Sequence, residues 1–232
     1  MIYATSILLA LAVYVFVPFG LTGQLRLIRL EEAYGFLAAT YLLLALLATP
    51  LYKVFPTLPG KPTYTRARRA IGISTFCFAF LHSGIAFFGL LSGFAGWAFL
   101  TTTYHIELIA ALVALVILFL LAATSFDVAV RLMGPWWKRL HRFVYLAGVL
   151  VLTHILLLGA HFTDPSRLFP AIILGIVAAF LMLEAARIDQ TMAQQIWDYK
   201  PRFSWFFLLC VILIMLGYTI LSGHGGHSHL GH

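Results

Sequence analysis

Apolar positions in this chain run together in long blocks, separated by short polar connections. Seven blocks stand out, at 2–19, 33–51, 70–94, 104–123, 140–160, 168–183 and 203–221. Each approaches the about 20 apolar residues that carry a helix across about 30 Å of hydrocarbon at 1.5 Å per residue. The pattern predicts an all-α integral membrane protein, a bundle of about seven transmembrane helices. The first block is expected to be a retained helix, because "MIYATS" lacks the basic start of a leader and no small-residue cleavage site follows.

Composition agrees with that solvent. The 232 residues are 62% hydrophobic and 10% charged, with a mean hydropathy of +0.98; soluble domains average about 45–50% apolar and about 25% charged. A transmembrane domain over 1–222 and a His/Gly-rich tail over 223–232 account for the whole length. The longest polar connections, 52–69 and 184–202, are too short to fold a nucleotide domain, and there is no G-x-G-x-x-G, Walker loop or nucleophile elbow. A nucleotide reductant would therefore bind another chain.

Charge sets the orientation. With the N-terminus cytoplasmic and the C-terminus outside, the inner connections hold Lys53, Lys61, Arg66, Arg68, Arg69, Arg131, Lys138, Arg139, Arg142, Arg187, Lys200 and Arg202. Only Arg26, Arg29 and Arg167 fall outside, a positive-inside distribution. The net charge of +7 thus faces membrane lipid head groups or an acidic partner rather than nucleic acid. Cys77 and Cys210 both fall inside apolar blocks, where they read as packing residues and offer no disulfide framework.

Histidines bring the first candidate chemistry, since an ionisable group inside a span marks a functional site by default. His82 lies thirteen residues past Arg69 and His154 fifteen past Arg139, so both sit about 20 Å from the inner face on parallel helices. Two neutral imidazoles at one depth can clamp a metal, and haem iron suits an apolar interior because the porphyrin is itself apolar. Zinc would require further ligands, and neither helix supplies a carboxylate or thiolate at that level, although Cys77 is five residues from His82. The alternative is that each histidine hydrogen-bonds a neighbouring helix. His105, Glu107 and His161 lie near the outer interface, where snorkelling is expected, and Gly84, Gly89, Gly93 and Gly148 could admit a flat macrocycle or simply a close helix.

The segments "RARRAIGISTFCFAFLHSGIAFFGLL" and "LLAATSFDVAVRLMGPWWKRLHRFVYLAGVLVLTHILLL" resemble the ferric-reductase-like transmembrane domain, in particular its MsrQ (YedZ) branch of haem-binding membrane subunits. The likeness covers about 33–183, leaving the helix at 203–221 and the tail beyond the family's six-helix pattern. It implies a multi-pass b-type haem cytochrome of a bacterial inner membrane, with His82, His141 and His154 matching the family's haem-binding histidines. It further implies electron flow from a cytoplasmic flavin reductase to an outer-side acceptor: a molybdopterin protein, a quinone or a ferric chelate. One haem b is expected on His82 and His154.

His141 lies at the inner end, about 20 Å below His154 along an uninterrupted helix. Thirteen steps at 3.6 residues per turn would leave the two side chains about 140° apart, so a bulge or differently facing haem edges is required. Di-haem relatives carry a histidine where this chain has Arg68, and a guanidinium is a poor iron ligand. A second haem at His141 would lack that partner. His141 then reads either as an inner cofactor contact or as a juxtamembrane histidine. Arg68, Arg69, Arg139 and Arg142, with Arg66 and Lys138, could hold haem propionates or the phosphate of FMN, or serve only as inner-face anchors.

Three readings follow. The chain is an electron-transfer subunit of an oxidoreductase system; or a non-catalytic membrane subunit supporting a larger complex; or a metal-binding or metalloreductase protein led by His224, His227, His229 and His232 of the tail.

Overall fold

A computed structural model describes residues 2–158, 168–206 and 208–209. His161, Arg167, Cys210, most of the 203–221 block and the whole histidine tail lie outside the described residues. The described residues are helical with short turns and contain no strand. They fall into two compact units, Met1–Ala48 with Pro59–Asp164, and Thr49–Leu58 with Pro165–His232.

In the first unit, helix α1 (Ile2–Phe16) is followed by α2 (Gly23–Val54), whose upper part belongs to this unit. Helix α3 (Lys61–Gly84) runs directly into a π-helical stretch, Ile85–Leu90. A short α4 (Phe94–Trp97) leads to α5 (Thr102–Ala123), then α6 (Asp127–Met133), α7 (Pro135–His141) and α8 (Phe143–Leu158). Among the described residues, three helices are long and apolar enough to cross a membrane: Gly23–Val54, Lys61–Leu90 and Tyr104–Ala123. Leu112, Val116 and Phe119 lie along one exposed face of α5, the display expected of a surface that meets lipid.

Of the element boundaries that differ from the hydropathy blocks, two matter for the site. The 33–51 block begins in fact at Gly23, so Arg26, Arg29, Glu31 and Glu32 are helical rather than part of an outer loop. Arg and Glu are good helix formers, and Leu27, Ile28 and Leu30 interleave with them, so the helix continues past the point where hydropathy falls. The 140–160 block is not one helix: α7 ends at His141 and α8 starts at Phe143, with Arg142 N–H donating to the Arg139 carbonyl (3.2 Å) and Tyr145 N–H to that of Arg142 (3.1 Å). These three-residue bonds tighten the chain between the helices, which removes the 140° relation that an unbroken helix would impose.

α1, α2 and α3 pack around Leu30, Tyr34 and Phe78, with Ala10, Val13, Tyr41 and Ile85 against them. Polar groups in this apolar core are paired across helices: Tyr34 donates to the Ala10 carbonyl (3.0 Å) and Ser74 to Ser6 Oγ (2.9 Å). α5 packs on both α3 and α8.

In the second unit, α9 (Leu168–Gln195) carries Asp189, whose buried carboxylate is an N-cap for the next helical turn. It accepts from the backbone N–H groups of Arg202 (3.1 Å), Phe203 (3.1 Å) and Ser204 (2.8 Å), from Tyr199 Oη (2.7 Å) and from the Ser204 hydroxyl. Burial would raise the carboxyl's pKa, but these bonds, led by those from Ser204 and Tyr199, hold it well below the usual carboxylate range. Lys53 Nζ donates to Gln194 Oε1 (2.9 Å).

Candidate functional site

His82 lies in the last turn of α3, at the junction with the π-helical stretch. His154 lies on α8. Their ring centres are 6.2 Å apart with the planes inclined at 77°. A metal–imidazole bond is about 2.0 Å; with each ring centre about 1 Å behind its nitrogen, two imidazoles on opposite sides of one ion stand about 6 Å apart. The observed separation suits such a pair.

The nitrogens are differently occupied. His82 Nδ1 is 3.0 Å from the Glu31 carbonyl oxygen and 3.1 Å from Glu31 Oε1, both on α2. An N–H at Nδ1 satisfies both acceptors and leaves Nε2 as the lone-pair nitrogen, the arrangement usual for a metal-bound histidine. His154 Nδ1 is buried and has no hydrogen-bond partner, although a buried polar nitrogen ordinarily finds one. The Glu107 backbone is the polar group nearest that ring, within reach of a weak hydrogen bond that falls short of ordinary geometry.

Gly35, one turn after Glu31, makes room for the His82 ring. A Cβ there would stand 2.8 Å from Nδ1 and 2.9 Å from Cε1, closer than real side chains approach. Of the glycines singled out above, Gly84 has nothing near it, while a Cβ at Gly89 would meet Leu27 at 3.2 Å and one at Gly148 would meet Leu46 at 3.1 Å, which are helix contacts. The glycine that admits a ring is Gly35, on a helix the histidine spacing did not involve.

Glu31, Gly35 and His154 thus complete a site around His82 whose donor set is two imidazoles. Among the described residues no group of three or more His, Cys, Asp or Glu could hold a metal ion. A metal seated between His82 and His154 must bring its remaining ligands with it.

The residues expected to snorkel at the outer interface differ from that expectation. Glu107 does not snorkel: it is 2% exposed, and its Oε2 is buried without a partner. His105 is pinned, with its Nε2 3.0 Å from the Trp97 carbonyl and its ring 4.8 Å from the Trp97 indole. The turn around α4 covers the start of α5, which hydropathy alone does not report.

At the end of α7, His141 stacks on Trp137 (4.0 Å between centres, 27°). Its Nε2 is 3.2 Å from Thr124 Oγ1, whose own proton goes to the Leu120 carbonyl (2.7 Å), so Nε2–H donates to the hydroxyl. Trp137 Nε1 donates to the Thr124 carbonyl (2.8 Å) and fixes the platform. Arg68 and Arg69 are the charged neighbours of His141. Arg69 pairs with the exposed Asp127, and its hydrogen bond and charge hold that carboxyl below its ordinary range. Arg139 lies 4.6 Å over the Trp136 ring. Arg142 contributes its backbone to the α7–α8 turn.

Against known proteins, the model of the ferric reductase like transmembrane component family matches residues 34–152. The chain is 34% identical over 125 residues to the protein-methionine-sulfoxide reductase heme-binding subunit MsrQ of Cronobacter sakazakii, covering 53% of this chain and 60% of that one. It is 32% identical over 179 residues to the proteins of the same name from Brucella ovis and Brucella canis, covering 72% of this chain and 74% of theirs. The chain therefore spans about 60% of the length of the Cronobacter relative. No solved structure matches.

Proposed function

Because the chain belongs to the ferric reductase like transmembrane component family, we propose that it is the haem-carrying membrane subunit of an oxidoreductase system, with one b-type haem between His82 and His154. The observation that carries this reading is the pair of adjacent imidazoles 6.2 Å apart, one with Nδ1 tied to Glu31 and the other with a buried nitrogen that lacks a well-formed hydrogen bond. A bound porphyrin would supply the ligands that the described residues do not. When bound there, haem iron would cycle between ferric and ferrous states and so handle single electrons.

The chain's own residues hold and shield that site. Glu31 and Gly35 set the tautomer and position of His82, α5 packs between α3 and α8, and the buried Glu107 backs His154. At the opposite end, Trp137, His141 and the arginine cluster of Arg68, Arg69, Arg139 and Arg142 form the side from which electrons enter, facing a cytoplasmic flavin reductase. The guanidinium groups suit FMN phosphate or the propionates of a second haem. The orientation is the positive-inside one, with seven helices in a bacterial inner membrane. On the outer side the acceptor is a separate protein, a quinone or a ferric chelate. The relatives' name, a haem-binding subunit of a protein-methionine-sulfoxide reductase, favours a catalytic protein partner, for which a molybdopterin protein is the class expected.

The test is an absorption spectrum of the purified protein with its His82→Ala and His154→Ala variants. The wild type should show the Soret and α bands of a reduced low-spin b-type haem, and each variant should lose most of it. Unchanged bis-imidazole spectra in both variants would sink the assignment. A wild type without haem would leave the non-catalytic membrane-subunit reading.

A further inference from the structure

We propose that Glu31 is a positioning residue for His82: its carbonyl and carboxylate, both from α2, hold Nδ1 so that Nε2 is free for iron, and its carboxylate sets the redox potential of the site. This rests on the reading that His82 is a ligand.

The two acceptors divide the work. The carbonyl at 3.0 Å suffices to fix the tautomer, because it accepts the Nδ1 proton whatever side chain stands at position 31. The carboxylate at 3.1 Å adds charge. An imidazole that donates to a carboxylate is a more basic ligand than one that donates to a neutral group, and a nearby negative charge favours the more positive metal state. Both effects stabilise ferric over ferrous iron. Low exposure of the pair, 21% for each side chain, preserves the effect against solvent screening. The neighbouring Glu32 provides an internal contrast, since it is turned to Arg29 at 2.8 Å.

The experiment is a spectroelectrochemical titration of the purified full-length protein and its Glu31→Gln, Glu31→Asp and Glu32→Gln variants, with haem content and low-spin spectrum recorded alongside. Glu31→Gln keeps the carbonyl and the side chain's shape while removing the charge. It should retain a bis-imidazole spectrum and shift the equilibrium about tenfold toward the reduced form, a rise of about 59 mV for a one-electron couple. Glu31→Asp, which keeps the charge, should stay nearer the wild type, and Glu32→Gln should not move. An unchanged potential in Glu31→Gln, or an equal rise in Glu32→Gln or Glu31→Asp, would overturn the proposal. His82→Ala separates the two readings: if that variant loses haem while Glu31→Gln is silent, only the role of Glu31 fails; if it keeps a wild-type spectrum, the ligand assignment fails and takes this inference with it.

Discussion

Replacing Gly35 with Ala adds one methyl group to α2 at the point where it meets His82. The added Cβ would stand 2.8 Å from Nδ1 and 2.9 Å from Cε1, whereas apolar atoms rest at about 3.5–4.0 Å. The ring must therefore retreat by about 0.7 Å, more than the about 0.5 Å within which a ligand has to be held. Its retreat is opposed by the bonds from Nδ1 to Glu31. Overpacking of this kind costs about 1–3 kcal/mol; carried wholly by the cofactor, that is about 5- to 150-fold in haem affinity. The same substitution favours the helix itself by about 0.5–1 kcal/mol, which offsets part of the overpacking cost in the haem-free fold, so haem retention should fall by more than fold stability does. Gly72→Ala, where a Cβ meets nothing within 4 Å, should show the helix gain alone. Haem stoichiometry and competitive haem transfer, read beside thermal unfolding of the haem-free protein in detergent, check both halves. A Gly35→Ala protein that holds haem as tightly as the wild type would refute the idea that Gly35 shapes the ligand's seat.

On the proposed reading, His141→Ala should leave the haem on His82 and His154 in place and slow its reduction by an added flavin reductase, as stopped-flow absorbance would show. No change in either quantity would confine His141 to its contacts with Trp137 and Thr124. The purified chain alone should not oxidise NADH or NADPH; haem reduction by either nucleotide with flavin and reductase excluded would overturn the assignment of that step to a second protein. Asp189→Ala should destabilise the second unit by about 1–2 kcal/mol, because it removes the buried carboxylate that caps the half-buried backbone N–H groups of Arg202, Phe203 and Ser204, and faster proteolysis within 196–202 would report it. Asp189 has a folded-state pKa below its unfolded value, so its stabilisation is present above about pH 4, the unfolded pKa, and is lost as pH falls toward the folded one. Asp189→Asn should abolish that part of the acid dependence.

The membrane solvent and the helical class are properties of local composition, and the order of residues alone determines them. Transfer free energies add along a helix. The level shared by His82 and His154 was legible for the same reason, because depth follows from a rise of 1.5 Å per residue. Rotation about a helix axis and the choice of neighbour are different. Lipid tails are as apolar as leucine, so no hydropathy pattern marks which face of a membrane helix meets protein. Tertiary packing therefore decided that α2 supplies Glu31 and Gly35 to His82, that Trp97 receives His105, and that Asp189 caps a turn thirteen to fifteen residues away. It also decided the break at Arg142, where bonds tighten to three-residue spacing inside an apolar run that reads as one helix. The contacts of His82, His105 and Asp189 depend on a polar group finding a partner from another part of the chain, a requirement that low dielectric surroundings make stringent and that linear order does not express.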